Sequence, residues 1–185
     1  RAAQTLAQNL DLNQATRVLD IAAGSGVWGI ALSQASPNVR VTAVDWEGVL
    51  PVTRRVANKF GVADRFEFKA GDIGEVDFAE GYNVATLGHI LHSEGEARSK
   101  QLIKKVFEAL ARDGTIVIAE MVANAEHNGP PHALVFAVNM LVNTTEGDTY
   151  SFEEISDWLR AAGFENPREL DAPGPSPLIL ADKAG

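Results

Sequence analysis

The chain has 185 residues, 45% apolar and 22% charged, a composition that fits one folded domain able to bury a substantial core and excludes a disordered or coiled-coil chain. It has no cysteine, which excludes a disulfide scaffold, a thiolate metal centre and a thiol nucleophile. A formal net charge of −9, with lysines and arginines scattered, argues against a nucleic-acid partner, and no apolar run approaches the roughly 20 residues of a membrane span. Starting at Arg1 with no charged-then-apolar leader, the sequence reads as a cytoplasmic piece of a longer protein.

Residues 2–10 are a helix candidate within a linker of residues 1–14. Arg17–Ala22 reads as a short buried strand that enters a glycine turn, and a helix over 27–35 follows until Ser36-Pro37-Asn38 ends it. Next come a strand over Val39–Asp45, a helix over 50–60 stopped by Gly61, and strands over Arg65–Lys69 and Asn83–Leu87. Ser93-x-x-Glu96 reads as a capping box opening a helix over 94–111, and Asp113-Gly114 turns the chain into a strand at Thr115–Glu120. Helices are predicted over 131–143 and 152–162, the latter ended by Gly163. Two late strands, Phe164–Leu170 and Leu178–Ala181, are split by Pro173-Gly174-Pro175. Strands separated by helices imply parallel βαβ units, whereas the late pair has too short a connection for a crossover and should be antiparallel. The expected fold is a single α/β domain over 1–185: a doubly wound, mostly parallel sheet of seven strands with one antiparallel strand. Its ligand should sit outside the carboxyl ends of the strands, where strand order reverses.

Unusual residues fall at those ends. Gly24-Ser25-Gly26-Val27-Trp28-Gly29 matches G-x-G-x-x-G, either a nucleotide loop or a plain tight turn. Asp45, 21 residues past Gly24, could bind the two hydroxyls of a ribose, and Asp72 could accept from an adenine amino group; each could equally be a turn or cap aspartate. Asp20, four residues before Gly24, would repel pyrophosphate and suits an ammonium or sulfonium instead, which disfavours an NAD(P)-dependent oxidoreductase. Trp46 either covers a base or packs. His92, between the fourth strand and the long helix, is either a general base or a histidine packed beside the cap. Phe136, Asn139, Met140 and Asn143 share one helix face, fitting a pocket for a small hydroxylated ring system or ordinary packing. His127 and His132 read as loop residues without metal-site spacing, so no metal is expected, and Trp28 and Trp158 read as structural.

Val18-Leu19-Asp20-Ile21-Ala22-Ala23-Gly24-Ser25-Gly26 resembles the first motif of class I S-adenosylmethionine-dependent methyltransferases, with Ala22 and Ala23 where glycine is more usual. Asp45 resembles their second motif and Gly71-Asp72 their third. Leu87-Gly88-His89-Ile90-Leu91-His92, the stretch from Met140-Leu141 through Gly147-Asp148-Thr149-Tyr150-Ser151, and Ala162-Gly163-Phe164 resemble the catalytic domain of small-molecule O-methyltransferases, the group of caffeate-type, acetylserotonin and polyketide-tailoring enzymes. The resemblance covers roughly residues 15 to 183. It implies S-adenosylmethionine, leaving S-adenosylhomocysteine, held by Asp20, Gly24, Ser25, Gly26, Asp45, Trp46, Asp72, Ile73 and Gly88. It implies a small, aromatic or polyketide-like acceptor held by Phe136, Asn139, Met140 and Asn143 and methylated on a hydroxyl oxygen, with His92 as base. Glu120 matches an acid flanking that histidine; Asp148 is either the second such acid or a turn former beside Gly147. It also implies a homodimer formed through an N-terminal helical module that this chain lacks. Ser93-Glu94 stands where many relatives carry Asp-Trp, which leaves open a non-catalytic relative that only binds the cofactor.

Overall fold

The central strands are buried almost continuously, as strands must be when helices cover both faces of a parallel sheet. A computed structural model describes residues 1–185. The elements in chain order are α1 (Ala2–Asn9), β1 (Thr16–Ile21), α2 (Val27–Ala35), β2 (Val39–Asp45), α3 (Leu50–Lys59), β3 (Phe66–Ala70), β4 (Tyr82–Gly88), α4 (Leu91–Ala109), β5 (Leu110–Ala119), α5 (Pro131–Asn143), α6 (Phe152–Ala162), β6 (Phe164–Leu170) and β7 (Leu178–Lys183). The seven strands form one sheet in the order β3-β2-β1-β4-β5-β7-β6, with β7 antiparallel to both of its neighbours. This is the predicted doubly wound sheet with its one antiparallel strand.

Side chains alternate between two cores. Leu19, Ile21, Leu87, Ile116 and Ile118 pack with Leu102, Ile103 and Val106 of α4 and Ile155 and Leu159 of α6. Val18, Val41 and Val117 face the other way, onto Leu6 of α1, Ile30 and Leu32 of α2 and Ala57 of α3. Each fully buried aliphatic side chain contributes about 1.5–3 kcal/mol. Leu6 is completely buried, so α1 is part of this core and not a free linker.

β1 pairs in parallel with β2 on one side and β4 on the other, which makes the β1/β4 boundary the point where strand order reverses. The crevice therefore opens over the carboxyl ends of β1 and β4.

Two local expectations fail. The capping box at Ser93 does not form. The first helical turn begins earlier, at Leu91, and the chain breaks at Gly95 (φ 73°, ψ 167°) before the long helix continues. With Gly95 between them, Ser93 and Glu96 cannot meet across one turn, and Ser93 Oγ donates to Ile90 O instead, at 2.9 Å. The Asp113-Gly114 turn lies inside β5, absorbed as a register shift against β4 between Tyr82 and Val84. By contrast, α6 carries a complete capping box between Ser151 and Glu154. No helix is long and apolar enough to cross a membrane.

Candidate active site

The loop after β1 is built around backbone that only glycine adopts easily. Gly24 and Gly26 have φ of 54° and 77°, and a Cβ on Gly26 would come 2.9 Å from Thr53 Cγ2. Gly29 serves packing: a Cβ there would meet Val41 Cγ1 at 2.8 Å. Thr53 Oγ1 donates to Gly24 O at 2.6 Å. Asp45, at the end of β2, clips this loop to the sheet. Its Oδ2 accepts from Gly24 N at 2.8 Å and its Oδ1 from Trp46 N at 2.7 Å.

Asp20 is placed differently from the expectation. It does not face the crevice. Fully buried, it accepts from Gly29 N at 3.0 Å and from Thr86 Oγ1 at 2.8 Å, so both oxygens are spent inside the fold. Burial, reinforced by the nearby Asp45 charge, pushes its carboxyl up to about 7. It anchors α2 beneath the loop, with no part of the carboxylate exposed to the crevice.

Around the rim, Ser25 is exposed and Trp46 is 59% exposed, so Trp46 is not core packing. Asp72 Oδ1 accepts from Gly74 N at 2.7 Å and from Arg98 Nη2 at 3.2 Å. The Ile73 side chain packs mostly into the core, and its carbonyl accepts from Lys105 Nζ at 2.9 Å. Gly88 ends β4 where the Trp28 indole occupies the space a Cβ would need, which explains both the glycine and the buried tryptophan.

The β4–β5 end of the crevice is organised by Glu120, immediately past β5. Its buried carboxylate puts Oε2 2.7 Å from His92 Nδ1, and its Oε1 accepts from Leu91 N at 2.7 Å. Glu120 thus caps the short first turn, which opens ahead of the serine expected to cap the long helix. The His92 and Phe136 rings meet in a T-shaped pair with centroids 4.8 Å apart. Asp148 is not a second ring partner: its carboxylate accepts from Thr149 N at 2.7 Å, while its own N–H donates to His92 O at 3.0 Å. The turn-former reading is the one its geometry fits.

On α5, Met140 is buried and Phe136 half-buried, but Asn139 and Asn143 are exposed and bonded to each other, Asn143 Nδ2 to Asn139 Oδ1 at 2.8 Å. The structure brings Phe136 to His92 and leaves the two amides outside that contact. His132 belongs to the first turn of α5 and not to a loop, and His127 pairs with Glu154 at 2.9 Å.

Sequence reasoning missed the clasp between the two halves of this site. A Cβ on Gly95 would lie 2.8 Å from Glu146 Cβ and 2.9 Å from Glu146 O, and a Cβ on Gly147 would collide with His92 O. The chain at Gly95 therefore packs against the turn that follows α5. A glycine two residues past the supposed cap was the available signal. Thr86, alternating into the sheet opposite Asp20, gave none.

The family model for the O-methyltransferase domain matches residues 2–165. The chain belongs to this family. The domain is 29% identical over 184 residues to a 3-hydroxy-5-methyl-1-naphthoate 3-O-methyltransferase of Streptomyces sahachiroi, covering 98% of this chain and 53% of that protein. It superposes on an O-methyltransferase family 2 protein of Planctomyces limnophilus, solved in complex with apigenin, with a TM-score of 0.91 and 26% identity, covering 99% of this chain and 56% of that one. PigF solved with S-adenosylhomocysteine is 27% identical, with a TM-score of 0.82 over 96% of this chain and 53% of that one. The domain spans about half the length of the curated relatives it matches.

Proposed function

We propose that this O-methyltransferase domain binds S-adenosylmethionine at the glycine-loop edge of the sheet and methylates a hydroxyl oxygen of a small aromatic or polyketide-like acceptor, with His92 as general base. The carrying observation is the Glu120–His92 pair, poised at the end of β4 beside the glycine loop at the end of β1.

The residues present suit the cofactor. A Cβ on Gly24 would meet nothing closer than Ala22 O at 3.9 Å, so backbone is open to a ligand there, and the Trp46 indole stands unpacked beside Asp45. Gly24, Ser25 and Gly26 would hold its amino-acid end, Asp45, Trp46 and Asp72 its nucleoside, and the backbone of Gly88 would approach from β4. When bound, the cofactor supplies a methyl carbon made electrophilic by its sulfonium. Glu120, on Nδ1, fixes the proton on that nitrogen and leaves Nε2 free to take the proton of the acceptor hydroxyl. The buried carboxylate then stabilises the imidazolium that results. Phe136, half-buried beside the His92 ring, offers an apolar surface against which an aromatic acceptor can lie. Orientation of the acceptor oxygen supplies most of the rate, and a positioned base typically about 10²–10⁴-fold of it.

Two rival readings are less well supported. A non-catalytic relative has no use for a buried carboxylate aimed at His92. The argument from Asp20 against NAD(P) does not survive, since Asp20 is sealed under α2, but membership of the O-methyltransferase family opposes an oxidoreductase instead. The proposal also includes a cytoplasmic enzyme that dimerises through a segment outside this domain. The outer face of α5, where Val135 is 71%, Leu141 77% and Val142 74% exposed, is an apolar surface that such a segment would cover.

Incubation with S-adenosylmethionine and a panel of phenols, naphthols and polyketide phenols, read by mass spectrometry, tests the activity. The reading expects an acceptor gaining one methyl group in step with S-adenosylhomocysteine. Titration with S-adenosylhomocysteine tests the cofactor site separately, and absence of binding overturns the reading.

A further inference from the structure

We propose that His89, His92 and Glu120 together form a site for one divalent transition-metal ion, zinc fitting best, and that an ion held there switches the methyl transfer off.

His89 is the residue on which the proposal turns. It sits just past β4 with φ of 59°, a left-handed conformation that non-glycine residues adopt at a cost and that clusters at functional sites. Its backbone N–H is tied to Ala119 O at 2.8 Å, which fixes where the side chain leaves the chain. Its ring is exposed and bonds no other side chain, and lies 6.4 Å, centroid to centroid, from the ring of His92. Each of His89, His92 and Glu120 offers one ligand atom, and these atoms all lie within 4.8 Å of one another. Zinc bonds of about 2.0–2.2 Å in a tetrahedron place ligand atoms roughly 3.4 Å apart. Rotation of the exposed His89 ring would bring in the third ligand, and the 2.7 Å between His92 Nδ1 and Glu120 Oε2 would open to about 3.4 Å as the ion displaces the proton they share.

The donor set selects the ion. Two imidazoles and one carboxylate suit zinc, cobalt or nickel, whereas magnesium and calcium want oxygen ligands throughout. Three protein ligands leave one position open for water or an acceptor oxygen. The ion would take a lone pair of His92 or draw Glu120 off its Nδ1. Either change removes the base as it is now poised. The other histidine–carboxylate pair, His127 with Glu154, provides only two ligands on an exposed surface and serves as a control.

The test uses tag-free protein titrated with zinc by calorimetry and with cobalt by visible absorption. The variants are His89→Asn, since asparagine tolerates the left-handed backbone, and His127→Asn; both are checked for folding by circular dichroism, and His89→Gly replaces His89→Asn if the latter does not fold. The proposal expects one ion per chain, cobalt bands characteristic of tetrahedral or five-coordinate nitrogen–oxygen ligation, affinity weakened at least tenfold by the His89 variant and unchanged by His127→Asn. Zinc should inhibit methyl transfer, with an inhibition constant at least tenfold higher in the His89 variant. Absence of saturable binding, or equal affinity in all three proteins, overturns the site. Binding through His89 without inhibition overturns the switch. The inhibition arm rests on the proposed methyl transfer, but the binding arm needs no turnover, so failure of that reading would leave it readable.

Discussion

Glu120 holds His92 at two points: Oε2 lies 2.7 Å from the ring Nδ1, and Oε1 accepts from the backbone N–H of Leu91 at 2.7 Å and of His92 at 3.4 Å. One buried carboxylate thus sets both the orientation of the imidazole and the turn that carries it. Glu120→Gln keeps the shape and removes the charge. Turnover should fall between about tenfold and about 10⁴-fold, with affinity for S-adenosylhomocysteine within about twofold of wild type. Asp148→Asn, which touches only Thr149 N through its side chain, should leave turnover near normal. Steady-state kinetics on the two variants checks this, and equal losses would make Asp148 a partner after all.

Asp45→Ala removes a carboxylate that ties the glycine loop to β2 and is proposed to receive the ribose. Each charge-assisted hydrogen bond lost costs about 1.5–3 kcal/mol. Affinity for S-adenosylhomocysteine, measured by calorimetry, should drop at least tenfold while the circular dichroism spectrum is retained. Unchanged affinity would remove Asp45 from the cofactor site.

Asp20 gives the fold a pH dependence of known sign. Its carboxyl is raised from 3.8 to about 7 in the folded protein, so between those values the folded state holds a proton that the unfolded state has lost. The stability this provides is full below the unfolded value and is lost as pH rises to about 7. Asp20→Asn keeps an acceptor for Gly29 N–H and can present its amide to Thr86 Oγ1, without a titrating charge. The Tm of wild type should therefore decline relative to Asp20→Asn from about pH 5 to about pH 7, and the difference should be level above that. Parallel Tm curves across this range would show that Asp20 does not titrate there.

Gly95→Ala tests the clasp. The new methyl group would need a φ of 73° and would press on Glu146 at 2.8 Å. Overpacking of this kind costs about 1–3 kcal/mol, so Tm should fall by roughly 2–12 °C for a domain of this size. Because Asp148 N–H and His92 O are bonded across the same contact, the folded fraction should also turn over more slowly. A lower Tm with normal turnover per folded molecule would confine Gly95 to structure.

Much of this was legible in the sequence because it depends on local patterns. The period of apolar residues and the breaks at Ser36-Pro37 and Gly163 mark α2, β2 and α6 to the residue, and Gly61 marks the end of α3 to within one. The strand-end placement of Gly24, Asp45 and Glu120 follows from the fold class. What escaped reading depends on contacts between distant segments. Ser93-x-x-Glu96 has the letters of a capping box, but Gly95 is committed to the turn at Glu146 and Gly147, fifty residues away, and tertiary packing overrode the local motif. Asp20 was read as facing the ligand because strand periodicity says which face a side chain takes but not whether Thr86 and Gly29 close over it. Asn139 and Asn143 share a helix face with Phe136, yet pairing with each other satisfies them first.

The most direct test of the account is His92→Gln, with Tm, S-adenosylhomocysteine affinity and turnover measured on one preparation. The ring is assigned to the acceptor, held by Glu120 and flanked by Phe136, and forms no hydrogen bond to the glycine loop. Glutamine preserves much of its size and polarity. The account predicts methyl transfer lowered by about 10²–10⁴-fold, with cofactor affinity and Tm close to wild type. Full turnover per folded molecule, with the loss confined to Tm, would contradict it and would remove His92 from the chemistry.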